Sequence, residues 1–297
     1  MIDQRRNSAR LNVSHRIHGC RDVARGEKAK STILASTLHS STPPKIEVWP
    51  IDMANYSSVR AFGDRACSTL SRLDAVVLDA GVSLDKFELA RGIESTLTIN
   101  VISTFLLAQL VLPKLSETGR AQATDTHLTF VGSMTHIFAK TKQLCDAKSG
   151  DILRTLSDPA QVDMASRYLL SKLLVILGSQ DLATKTNTSA KVNGTVVNCV
   201  NPGWYKTALF RHEDLGIEGR FALRIMGRTG EEGSRTLVHA SSADNLTNGK
   251  YLSECQVKPE PQFVRSEVGQ HVQERIANEL RKVLEQIQLA RKSRLDL

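Results

Sequence analysis

A chain of 297 residues, 41% of them hydrophobic, can bury one sizeable core and suits one large domain. Its formal charge is +8, but the basic residues are spread along the chain and the 5% of aromatic residues do not interleave with them, which argues against a nucleic-acid partner. Cys20, Cys67, Cys145, Cys199 and Cys255 are scattered without a Cys-x-x-Cys, so neither a disulfide framework nor a metal centre is expected, and reduced thiols suit a cytoplasmic protein.

In chain order, residues 1–14 are polar and irregular. His15–Cys20 reads as a poor strand, followed by Arg21 and Asp22. Glu27–Leu38 reads as a helix and Ser40–Pro44 as a turn cluster. Lys45–Ile51 alternates as a strand and ends at Asp52. Ser57–Leu70 is helical, and Leu73–Leu78 is a buried strand closed by Asp79-Ala-Gly81. Glu94–Leu115 predicts a long helix stopped near Pro113. Its most apolar run, Val101–Leu112, is too short to span a membrane, which needs about 20 residues.

Leu128–Val131 is a strand leading to Gly132-Ser133. Thr135–Pro159 is irregular, of the kind that walls a site. A helix follows over Val162–Thr184, then a strand over Thr195–Val200 closed by Asn201-Pro202-Gly203. Residues 204–226 are irregular with some helix. Thr229–Ser241 is helical with Glu231 and Glu232 at its start, Gly249–Ser253 is a last short strand, and residues 265–292 hold a charged terminal helix. No signal peptide precedes the Asn-x-Ser/Thr triplets at Asn55 and Asn187, so they are expected to carry no glycan.

Strands alternating with helices of ten or more residues predict βαβ units, an α/β doubly wound parallel sheet in a single domain over 1–297. Ligands of such sheets bind at the carboxyl ends of the strands. Asp52, Asp79, Gly81, Ser133, Pro202 and Gly203 all follow strand ends and are expected on one rim.

Tyr168 and Lys172 are four apart, which places them on one helix face. A fixed ammonium beside a phenol favours phenolate and brings it into range for proton transfer near neutral pH. Tyr-x-x-x-Lys alone is a weak signal. Its order after a strand–Gly-Ser133 and before a strand–Asn-Pro-Gly is more specific.

That order resembles the catalytic half of the short-chain dehydrogenase/reductase family. The likeness runs from about residue 9 to 292. It is strongest to the retinol-dehydrogenase-like branch common in fungal secondary metabolism, through Arg21-Asp22-Val-Ala-Arg-Gly, Arg72-Leu-Asp-Ala-Val-Val, Glu94-Ser-Thr-Leu-Thr-Ile-Asn100 and Asn198-Cys-Val-Asn-Pro-Gly. The resemblance implies a Rossmann-like fold and an NADP(H)-dependent oxidoreductase that interconverts a ketone and a secondary alcohol on a lipophilic small molecule. Tyr168 would exchange the proton, Lys172 would acidify it and hold the nicotinamide ribose, Ser133 would bond the reacting carbonyl, and Asn100 would position Lys172. Arg21 would meet the 2′-phosphate, Asp52 the adenine, Asp79 and Gly81 the turn beside the cofactor, and Pro202 and Gly203 the nicotinamide floor. The substrate wall would come from 135–159 and 204–226. No membrane span and no metal are implied, and a homo-oligomer is left open.

Two departures stand out. No Gly-x-x-x-Gly-x-Gly turn precedes Arg21, and Ala9–Ser14 resembles the tail of the helix that follows such a turn. The fold is therefore expected to be truncated at its N-terminus, lacking the first strand and Gly-rich turn. Either a mis-set start or a shortened, non-catalytic or decaying relative accounts for that. Asp79 stands where the family has Asn, and as a carboxylate it would repel cofactor phosphates.

Overall fold

The architecture was read from a computed structural model, which describes residues 13–36, 44–148, 150–187, 194–203 and 230–295. The strand at its centre, β7 (Thr195–Asn201), is buried at every position. It lies between β6 (Thr126–Val131) and β8 (Tyr251–Ser253), parallel to both. β6 pairs in turn with β3 (Ala75–Leu78), also parallel, and β9 (Gln256–Lys258) closes the far edge antiparallel to β8. Side chains of successive strand residues point to opposite faces. On β6 and β7, Leu128, Phe130, Val197 and Cys199 enter the larger apolar cluster, whereas Val131 and Val200 enter a smaller one with Leu237, Ala240 and Leu252. A strand buried on both faces reads as a nearly continuous apolar run, as Thr-Val-Val-Asn-Cys-Val does.

The larger cluster is made by helices α2 (Tyr56–Thr69), α4 (Ser103–Gln122), α7 (Met164–Asn187), the short α9 (Gln262–Arg265) and α10 (Glu267–Leu295). α8 (Gly230–Ala240) covers the opposite face. The predicted stop at Pro113 does not occur, because α4 continues to Gln122 with Pro113 inside it. Proline removes the hydrogen bond to the carbonyl four residues earlier. Here that residue is Gln109, exposed on the outer face, where water can meet the freed carbonyl. The helical stretch Ser95–Gln122 is long and apolar enough to cross a membrane by length and composition, a property the shorter run Val101–Leu112 did not suggest, but most of it is buried within the fold as a core helix.

The expected single sheet is instead divided, among the described residues, into two sheets with parallel strands and a separate small hairpin. β1 (His15–Cys20) pairs only with β2 (Lys45–Pro50), in parallel, as a separate two-stranded sheet flanked by α1 (Val23–Ser36). β1 and β3 both line one cavity of about 1070 Å³, through Val13–Cys20 and Ser71–Ala80. The third sheet element is the small hairpin β4 (Leu89–Ala90) and β5 (Ile93–Glu94). Its two-residue turn has Arg91 and Gly92 at positive φ, the backbone twist that tight hairpins prefer.

The stretch expected to be irregular after Ser133 folds into a 3₁₀ turn (Met134–Phe138) and two short helices, α5 (Lys142–Asp146) and α6 (Ile152–Leu156). Leu144, Ile152, Leu153 and Leu156 are buried in the main core, so this segment is packed as part of the fold. Glu279 on α10 fastens it: the backbone N–H groups of Ile152 and Leu153 donate to its two carboxylate oxygens at 2.8 Å each. The N-terminus through residue 12, expected to be irregular, and the expected substrate loop 204–226 lie outside the described residues.

Candidate active site

The segment before α4 holds the first site residue. Glu94 is an unusual N-cap: its carboxylate accepts from the N–H groups of Thr96 and Leu97 at 2.8 and 3.2 Å, starting the short helix α3 (Ser95–Leu97). The chain then widens into a π turn over Thr98–Ile102 before α4. Such turns are rare and concentrate at functional sites. Asn100 sits in this one, with 1% of its surface exposed. Its Oδ1 accepts from Val82 N at 2.8 Å, and its Nδ2 donates to Val82 O at 2.9 Å and to Ser171 Oγ at 3.0 Å. One amide therefore ties the loop after β3 to α7.

On α7 the predicted pair is in place. Lys172 is buried and donates to Val131 O, the last carbonyl of β6, at 2.8 Å. Its Nζ lies 5.7 Å from the centre of the Tyr168 ring. Ser171, between them, donates to Tyr168 O at 2.7 Å. Gly81 completes the cluster. A side-chain carbon there would stand 3.3 Å from Asn100 Oδ1 and 3.5 Å from Lys172 Nζ, so glycine leaves the room that both polar atoms occupy.

Burial dominates the electrostatics. It pulls the Lys172 ammonium below its ordinary value, opposed chiefly by the charge of Asp79. It pushes the Asp79 carboxyl up to about 6, opposed by Lys172, and the neighbouring Cys199 thiol up to about 12. An ammonium has three donors. With one committed to Val131 O, Lys172 retains hydrogen-bonding capacity for ribose hydroxyls, so the buried cluster fits the nicotinamide-ribose end of a dinucleotide. Asp79 fits the diphosphate less well, because its carboxylate repels phosphate once ionised.

Ser133 lies two residues beyond the carbonyl that receives Lys172. Its Oγ accepts from Thr135 N at 3.3 Å and shares a hydrogen bond with Thr135 Oγ1 at 2.9 Å, so it also caps the 3₁₀ turn. That turn packs against α7. Pro202 is buried, and Gly203 has φ +94°, a conformation that glycine adopts without strain. Asn201, given no role from the sequence, joins these turns. Its Oδ1 accepts from Met134 N and Gly203 N, each at 3.1 Å, and its Nδ2 donates to Ser253 Oγ at 3.1 Å. The signal was present in Asn-Pro-Gly, but only the fold shows that the amide reaches the Ser133 turn.

Arg21 and Asp52 are not part of this cluster. They follow β1 and β2 on the separate two-stranded sheet. Arg21 is exposed, and Asp52 Oδ1 accepts from Ala54 N at 3.0 Å in its own turn.

A family model described as short chain dehydrogenase matches residues 18–124. The short chain dehydrogenase/reductase dmxR8 of Cryptosporiopsis sp. (strain 8999) is 37% identical over 285 residues, which cover 95% of this chain and 86% of that protein. The chain belongs to the short-chain dehydrogenase/reductase family. The short chain dehydrogenase atnD of Emericella nidulans is 38% identical, with 84% of this chain and 79% of that one covered. Among solved structures, an uncharacterized protein from Mycobacterium Paratuberculosis has a TM-score of 0.60 at 21% identity, covering 90% of this chain and 83% of that one. RhlG of Pseudomonas aeruginosa in its NADP active-site complex has a TM-score of 0.56 at 20% identity, covering 80% and 83%. These likenesses show the Rossmann-like fold. The family match begins inside β1 at residue 18, and neither it nor the structural matches show the expected truncation, the loss of a preceding strand and glycine turn.

Proposed function

We propose that this protein is an NADP(H)-dependent oxidoreductase that interconverts a ketone and a secondary alcohol on a lipophilic small molecule in fungal secondary-metabolite biosynthesis. The observation that carries the reading is the buried Lys172, donating to the end of β6 beside the Tyr168 ring. The fungal sources of dmxR8 and atnD support the biological setting, and the NADP complex of RhlG supports the cofactor. The cofactor, when bound, supplies or accepts the hydride.

The chain's own residues do the rest. Lys172 holds the ribose hydroxyls and favours the phenolate of Tyr168. Tyr168 exchanges a proton with the substrate oxygen. Ser133 donates a hydrogen bond to that oxygen as its charge develops. Asn100 holds Gly81 and α7 in register. Arg21 and Asp52 bind the adenosine end, with Arg21 favouring a 2′-phosphate. Met134, Ile137 and Phe138 are exposed beside Ser133, Phe138 by 66%, and form an apolar lip for a lipophilic substrate. The reading places the protein in the cytoplasm, with reduced thiols.

The test is NADPH titration followed by fluorescence, then turnover on a panel of aromatic ketones and quinones. Tyr168→Phe is expected to keep cofactor affinity within about twofold and to lower kcat by 10²-fold or more. Undiminished turnover refutes the proton-donor role. The second reading, a non-catalytic binding relative, is favoured by Asp79 and by the divided sheet. It predicts no saturable NADPH binding at millimolar concentration.

A further inference from the structure

The largest of the fully buried side chains among the described residues is that of Arg167, one residue before Tyr168, with 1% of its surface exposed. None of its three guanidinium nitrogens has a hydrogen-bond partner. Its ionic partner is Glu94, with Nε 3.6 Å from Oε2, and Glu94 is wholly buried. Both Glu94 oxygens are already engaged by the N–H groups of Thr96 and Leu97. Burying an ion pair with so little hydrogen bonding costs stability that an apolar pair of similar volume would not. Glu94 is accounted for as the cap of α3, but packing alone gives no reason for Arg167.

The placement of the two supplies one. Arg167 and Ser171 are four apart and share one face of α7, while Tyr168 and Lys172 share the neighbouring face. The first face is tied twice to a single short segment. Ser171 is bonded to Asn100, and Arg167 is paired with Glu94, six residues earlier. Two ties one helical turn apart fix both the rotation and the axial register of α7, whereas one tie fixes neither completely. We propose that Glu94 and Arg167 are positioning residues, a buried latch that sets the rotation of α7 and so holds the Tyr168 phenol in line with Lys172.

This rests on Tyr168 as the proton-exchanging group, and the test separates the two ideas. The readout is the tyrosinate absorbance titration of the full chain without cofactor. Subtracting the titration of Tyr168→Phe isolates Tyr168 from the other tyrosines among the four. The other charged groups that bear on the region, Asp79, Lys172 and Asp163, stay in place in every variant, and the double variant removes the Glu94 and Arg167 charges together. Breaking the latch with Arg167→Met is expected to raise the Tyr168 midpoint by about one pH unit, the smaller end of what a displaced neighbouring cation does. Arg167→Lys is expected to recover part of that rise.

Arg167→Met alone leaves Glu94 as a buried unpaired charge and could unfold the chain, so the double variant Glu94→Gln/Arg167→Met decides. A double variant that melts at or above the parent temperature while keeping the raised midpoint establishes the positioning role. A stable double variant with the parent midpoint overturns it and leaves the pair as packing. If the parent protein reduces no carbonyl compound, the proposed activity fails, while the midpoint comparison still decides the latch.

Discussion

Asp79→Asn tests the electrostatics of the site directly. Burial lifts the Asp79 carboxyl from 3.8 to about 6, and that value already contains the opposing pull of Lys172. A group whose folded value lies above its unfolded one opposes folding when ionised. Its contribution is therefore whole below pH 4, falls as pH rises, and is fully lost above pH 6. Each pH unit between the two values is worth about 1.4 kcal/mol, so ionised Asp79 costs the fold about 3 kcal/mol at pH 7.5. Asp79 borders the solvent-accessible cavity between β1 and β3, which makes that figure a ceiling. Asparagine keeps the shape without the charge. The variant is expected to match the parent near pH 4 and to melt higher at pH 7.5 by up to about 6 °C, at about 2 °C per kcal/mol for a chain of this size. Scanning calorimetry at half-unit steps from pH 4 to 8 gives the two curves. Parallel curves would refute the argument, since they would mean that Asp79 titrates as a solvated carboxylate. The same variant is expected to bind NADPH more tightly at pH 7.5 than at pH 5 relative to the parent, measured by fluorescence titration.

Glu279→Gln replaces a carboxylate that accepts two backbone N–H groups with an amide that has one acceptor oxygen. The loss of one charge-assisted bond is expected to lower stability by about 2 kcal/mol, read from urea denaturation at pH 7, with cofactor affinity unchanged. Gly203→Ala forces a Cβ into φ +94°. A cost of about 1–3 kcal/mol is expected, together with a rise in KM, because the displaced turn also carries the N–H that Asn201 binds. Steady-state kinetics and a thermal melt check both, and a wild-type KM in a destabilised variant would confine Gly203 to the fold.

The strands and helices were legible because their signals are local. β7 reads as a nearly continuous apolar run, α7 as a helix with Tyr168 and Lys172 four apart, and the carboxyl-end turns as Asp79-Ala-Gly81, Gly132-Ser133 and Asn201-Pro-Gly203. Ser133 and Asn100 were singled out by resemblance, and the fold shows what each bonds, Ser133 as a turn cap and Asn100 as an amide bridge. What the sequence hid depends on long-range geometry. The π turn at Thr98–Ile102 has no composition of its own, and it holds Asn100 where its amide meets both Val82 and Ser171. Pro113 advertised a helix end, yet tertiary packing of Val111 and Leu115 holds α4 together through it.

Glu94 and Arg167 are the sharpest case. Each is a charged residue in a sequence where a quarter of residues are charged, and nothing near either one marks it as buried. A buried pair can be recognised only when the partner is known, and here the partner lies across a packed helix face. The same holds for Lys172, whose neighbour four residues earlier was visible but whose contact with the end of β6 was not. On the proposed reading, the site therefore depends less on which residues are present than on how firmly the Arg167/Ser171 face of α7 is held, since that face sets where the buried Tyr168 and Lys172 on the adjacent face lie.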